Sequence, residues 1–116
     1  MRDFTRYEIW QDGISLTKEI YLLCKTFPDS EKFGLISQMT RAAISIPSNF
    51  AEGCSRSSEK EFTRFIEIAL GSSFELKTQL LIAIELAYCK SSEKERILSR
   101  IDKICKQLNT LRNKLK

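Results

Sequence analysis

The chain has 116 residues, of which 42% are hydrophobic and 29% charged, with four glycines, two prolines and no histidine. One domain of roughly 100–200 residues accounts for that length, and the composition excludes disordered, collagen-like and low-complexity classes, while the scarcity of Gly and Pro argues against an all-β fold. The net charge of +4 is lopsided: residues 1–89 carry ten basic and twelve acidic side chains, residues 90–116 nine basic and three acidic. Without histidine there can be no His-dependent triad, no His metal ligand and no ordinary switch near neutral pH.

Met1 to Arg6 leads into a polar segment rather than the apolar run of a signal peptide. The most apolar stretch, Leu80 to Cys89, is interrupted by Glu85 and too short to span a bilayer, so no membrane partner is expected. Cys24, Cys54, Cys89 and Cys105 stand far apart with no C-x-x-C pair, and a zinc site would have to gather all four. They are read as buried free thiols, in a cytoplasmic protein.

The first helix is predicted from about Tyr7 to Thr26, its apolar face Trp10, Ile14, Thr17, Tyr21 and Cys24, with Phe27-Pro28-Asp29 stopping it. The second is predicted to begin near Ser30, capped by Asp29 or Ser30, with a stripe of Phe33, Ile36, Met39, Ala43, Ile46 and Phe50 and a stop at Gly53. Pro47 falls inside it. A proline removes a donor and clashes with the carbonyl four residues back, but the stripe keeps its phase across it, which predicts one long helix kinked there rather than two. Ser45 and Asn49 are candidates to satisfy the freed carbonyl.

Ser58-Glu59-Lys60-Glu61 is a capping-box pattern that opens a third helix, predicted to run to about Cys89. Small residues at Gly71-Ser72-Ser73 would let a neighbouring helix come close. The last third, Leu80 to Ala87, is apolar on almost all sides, and a helix of that kind is buried all round; a lone bundle wets one side of each helix, so burial against another subunit is expected. The fourth helix is predicted from Ser91 or Ser92 to the end, with a narrow seam of Ile97, Ile101, Ile104, Leu108, Leu111 and Leu115. Short loops make an up-down-up-down antiparallel four-helix bundle over residues 1–116.

Gly34-Leu35, Gln38, Arg41-Ala42-Ala43, the run Ser45 to Gly53, Arg56, Glu61 to Phe65, Ala69, Gly71-Ser72, Glu75-Leu76 and Gln79 form a signature. With Trp10 and Phe27-Pro28 it resembles the four-helix-bundle family named for proteins encoded in intervening sequences of bacterial 23S rRNA genes. Phe50 departs from the pattern, which more often has Ile or Val. The resemblance implies a bundle that assembles into a homopentameric barrel, with no catalytic residues. It also implies a more distant likeness to accessory proteins of diversity-generating retroelements, pentamers that bind nucleic acid and a reverse transcriptase.

Folding the second helix back on the third predicts that residues whose numbers sum to about 111 face each other. Arg41 then lies near Leu70 and a turn from Glu75, Gln38 near Ser73, and Asn49 near Phe62. Gln38, Arg41, Ser45, Asn49 and Glu52 make a polar strip on the second helix, and Glu75 and Gln79 one on the third. The preferred reading is a network fixing helix register or a subunit contact, with Arg41–Glu75 as its ion pair; a ligand or nucleic-acid site is the alternative.

On the fourth helix Arg96, Arg100, Lys103 and Lys114 fall on one flank of the seam, with Gln107 among them. A one-sided basic stripe suits contact with a phosphate backbone, because each cation displaces a condensed counterion, and in a ring of subunits its field would add. No base-reading motif accompanies it. The expected function is therefore a non-enzymatic homo-oligomer that binds RNA or DNA non-specifically through this helix; the alternative is an oligomeric scaffold for a protein partner. No cofactor is expected.

Overall fold

Residues 2–115 of the computed structural model are described, and they form four helices: α1 Glu8–Cys24, α2 Leu35–Cys54, α3 Glu59–Glu85 and α4 Ser91–Leu115. Single 3-10 turns at Phe4–Arg6 and Asp29–Glu31 precede α1 and α2, and there is no strand among the described residues. Consecutive helices run antiparallel, and α4 closes back on α1; the diagonal pairs make no close backbone approach. The resulting up-down-up-down bundle measures 44 × 24 × 20 Å.

Each helix contributes one apolar stripe to the interior, where Leu16, Ile20, Met39, Ile46, Phe50, Phe62, Ile66, Leu76, Leu80, Ile97, Ile101 and Ile104 are fully buried. At one end Tyr7, Phe50 and Phe62 form an edge-to-face chain with ring centroids 5.1 and 6.0 Å apart. The α4 seam lies inward as expected, with Ile97, Ile101, Ile104 and Leu108 buried and Leu111 and Leu115 packed against the core. The α1 face is turned by one residue from the expected one: Ile9, Leu16, Ile20 and Leu23 point inward with Cys24, while Ile14 and Tyr21 are exposed.

Where the helices begin follows from which groups take up their free amides. The Ser58 hydroxyl accepts from the Glu61 amide at 3.1 Å, one half of the capping box, and the Glu93 carboxylate accepts from the Lys90 amide at 3.2 Å. The second helix starts later than expected. Gly34 is non-helical, at φ −109° and ψ −110°, and the Glu31 carboxylate caps Leu35 at 3.2 Å; Phe33 therefore drops out of the stripe and is 89% exposed.

α2 runs unbroken through Pro47, which is buried. The carbonyl that lacks a helical donor because of it is that of Ala43, and another helix offers a shared one: the single Thr17 hydroxyl proton lies between Gly13 O, at 2.8 Å in its own helix, and Ala43 O, at 3.2 Å. Ser45 and Asn49 do not serve it. Asn49 Nδ2 donates to Ser45 O and Oγ at 2.8 and 2.9 Å, and Ser45 Oγ bonds Ser72 Oγ at 2.7 Å. Opposite Pro47 stands Gly13, where a Cβ would come 3.1 Å from the proline Cβ.

α2 ends at Cys54, one residue past the stop expected at Gly53, without a left-handed turn at that glycine. Gly53 lies inside α2 with an ordinary φ, and a Cβ there would meet Phe65 Cβ at 2.7 Å, so its role is close approach to α3. The pairs Ser45–Ser72 and Gly53–Phe65 set facing residues to sum to about 117, not 111. Of the small residues Gly71-Ser72-Ser73, expected to let a neighbouring helix come close, Ser72 meets Ser45 of α2 at 2.7 Å and Ser73 is fully buried, while nothing lies within 4 Å of where a Gly71 Cβ would be.

α3 ends four residues early. Ala87 adopts φ 62°, the Tyr88 amide bonds Ala83 O and the Ala87 amide bonds Ile84 O, both at 2.9 Å. That is a Schellman termination with alanine where glycine is usual. Tyr88 then stacks near Phe27, with centroids 5.1 Å apart, and its hydroxyl donates to Glu31 at 3.0 Å. All four cysteines are free; Cys24 and Cys54 are buried, Cys89 and Cys105 partly so. Burial, as the largest cause, pushes Cys24 and Cys54 up to about 11.

Thr17→Val strands the Ala43 carbonyl and is expected to cost about 1–3 kcal/mol in urea unfolding. Ala87→Gly relieves the left-handed strain and is expected to add about 0.5–1 kcal/mol by the same measurement. The native thiols hold their protons more tightly than unfolded ones, which titrate near 8.5. Stability from this source is therefore complete below about pH 8.5 and falls as pH rises toward 11; urea midpoints should drop over that window, and less steeply in the Cys24→Ala, Cys54→Ala double variant.

Candidate functional site

The basic flank of α4 does not stand alone. It faces a line of carboxylates on α1, the neighbour that closes the bundle. Arg96 reaches Glu19 at 2.5 Å and Arg100 the other oxygen of Glu19 at 3.3 Å; Lys103 reaches Glu8 at 2.8 Å and Asp12 at 3.2 Å. Glu19 is the best sheltered of these, its side chain 16% exposed. The hydrogen bond to Glu8 is the largest cause of a raised pKa at Lys103, followed by the bond to Asp12. Three cations of the stripe thus meet three anions, which offsets much of the local field. Lys114 lies beyond the ladder, with no ion-pair partner among the described residues. With Lys106 it borders a groove of about 430 Å³ floored by Tyr7, Ile9 and Leu111.

Glu8, Asp12 and Glu19 were not among the expected site residues, although their spacing of four and seven places them on one face of α1. A second set of interhelical pairs, Lys77–Asp102 at 2.7 Å and Arg112–Glu67 at 3.9 Å, joins the opposite flank of α4 to α3. Exposed pairs of this kind fix register more than they stabilise.

Of the expected polar strip the structure brings together only Ser45 and Asn49, with Ser72 of α3 as a partner the sequence reading missed. Glu52 pairs with Arg56 one turn on, at 2.8 Å. Gln79 is buried with its Oε1 lacking a hydrogen-bond partner. Gln38, Arg41 and Glu75 are exposed, and the Arg41–Glu75 pair does not form within the chain: neither has an ion-pair partner within 4 Å among the described residues.

Large apolar side chains are exposed as well. On α3, Ile68, Phe74, Leu81, Ile82 and Leu86 are exposed, Phe74 by 57% and Ile82 by 47%. Between α1 and α2, Trp10, Ile14, Ile44, Pro47 and Ala51 line a groove of about 250 Å³. No described helix is long and apolar enough to cross a membrane, and no three candidate metal-ligating side chains are gathered among the described residues.

The family model described as 23S rRNA-intervening sequence protein matches residues 5–110. Among solved structures the chain is similar to a protein of unknown function from the S23 ribosomal protein family of Bacteroides thetaiotaomicron VPI-5482. The two share 22% identity and a TM-score of 0.80, over 89% of this chain and 96% of that one, a likeness of fold. Among curated proteins none matches.

Proposed function

The chain belongs to the 23S rRNA-intervening sequence protein family, and we propose that this member is a non-enzymatic protein that assembles with copies of itself and serves as a scaffold. A ring of five is the form that the family resemblance implies. The observation that carries the reading is the number of large apolar side chains left in water on α1, α2 and α3: Ile14, Tyr21, Ile44, Ile68, Phe74, Leu81, Ile82 and Leu86. Single exposed apolar residues are ordinary on a monomer; this many large ones on so small a bundle point to surface covered in an assembly. The ionisable groups that do lie close together are matched in ion pairs, and burial keeps the thiols protonated, so both fit structural rather than nucleophilic work. Free thiols at all four cysteines suit a reducing, cytoplasmic setting.

Nucleic-acid binding through α4 is the second reading. It is favoured by Lys106 and Lys114, which have no carboxylate within ion-pair distance among the described residues, and by a ring's repetition of that flank. Arg96, Arg100 and Lys103 would contribute only by exchanging α1 carboxylates for phosphates.

Sedimentation velocity tests both at once. The expected mass is about five times the 13.4 kDa of one chain. An absorbance spectrum that shows nucleic acid carried at low salt and shed at high salt would support the second reading. A stable monomer at micromolar concentration would overturn self-assembly.

A further inference from the structure

A closed ring is built from one interface repeated head to tail, so each subunit must present two different surfaces that fit each other. The bundle presents two apolar surfaces of opposite shape. One is the groove between α1 and α2, walled by Ile14 and Ile44 and floored by Pro47. The other is the outer face of α3, a ridge on which Ile68, Glu75 and Ile82 succeed one another at helical spacing. Gly71 lies on that ridge with open space above it, so another backbone can come close there.

We propose that the α3 ridge of one copy seats in the α1/α2 groove of the next, and that Glu75 of the first pairs with Arg41 of the second across the contact. Charge complementarity supports a second copy as the occupant. Arg41, an exposed cation, stands one helical turn before Ile44 of the groove wall, Glu75 on the ridge is an exposed anion, and neither has an ion-pair partner among the described residues. Height supports it too. Facing residues of α2 and α3 sum to about 117, which puts Arg41 and Glu75 at the same level along the bundle. Rotation about an axis parallel to the helices preserves level, so the two groups meet when one copy is turned onto the next. By the same rule Ile68 and Gly71 come opposite the stretch of α2 that runs from Ile44 to Ala51.

The inference rests on the self-assembly proposed above, and charge reversal separates the two. Arg41→Glu and Glu75→Arg each place like charges across the contact and, at exposed positions, leave the fold intact. Each variant alone is expected to raise the concentration for half-association at least about tenfold. Mixing them restores association, because each interface between unlike variants sets a Glu against an Arg (at most four of the five interfaces in a ring of five, all of them in open chains or even-numbered rings), whereas a pair within one chain would stay broken on mixing. Ile44→Glu in the groove and Ile68→Glu on the ridge are each expected to be monomeric, and together to form a one-to-one dimer through the single intact groove and ridge. If the unaltered protein is an oligomer but neither charge reversal weakens it, or mixing fails to restore it, the ridge-in-groove contact is overturned while self-assembly stands. A monomeric unaltered protein overturns both.

Discussion

A proline in mid-helix removes a donor from the backbone ladder, and this bundle turns the loss into a helix–helix junction. The carbonyl of Ala43, left open by Pro47, is reached by the Thr17 hydroxyl of α1, and the proline ring fits against Gly13, which offers no side chain to push it away. Together these groups fix how near α1 lies to α2 and at what height. The consequences spread outward. Ile14 and Ile44 stand on either side of Pro47, so the shape of the surface groove follows from the same three residues that lock the interior. Larger side chains at position 13 would hold the helices apart and flatten it.

Much of this was legible in the residues. The α4 seam is narrow, with polar neighbours on both sides, and only one face could be buried. The α1 face was harder to place because apolar residues occupy almost two faces: Ile9, Leu16, Ile20 and Leu23 on one, Trp10, Ile14, Thr17 and Tyr21 on the other. Periodicity cannot choose between two stripes of equal period; the inner one is chosen by its packing against α4, and the outer one becomes a wall of the groove. The end of α3 escaped for a different reason. A Schellman turn is announced by glycine, and here an alanine takes the left-handed conformation, leaving no local sign.

The α2–α3 register depended on how many residues the connection spends. A difference of about six in the sum of facing positions moves Arg41 level with Glu75 rather than a turn away. The two were expected to pair, either to fix helix register or in a subunit contact. Both are exposed, and the pair does not close among the described residues of one chain. The basic flank of α4 gave a similar lesson. Its cations were plain in the sequence, but their meaning depends on which helix lies beside them, and Glu8, Asp12 and Glu19 become visible as their counterparts only once α1 is set antiparallel to α4.

That seam between the first and last helices joins the residues most distant along the chain, and charged contacts at the surface are prominent in it. Bringing such remote segments together carries the largest loop-closure entropy of any contact in the bundle, which makes it the last to zip during folding and the first to breathe afterwards. Screening by added salt weakens exposed charges, so amide protons of α1 and α4 should exchange faster than those of α2 and α3 as ionic strength increases. The same seam that closes the bundle thus gives it a hinge, and the setting of that hinge belongs to the solvent.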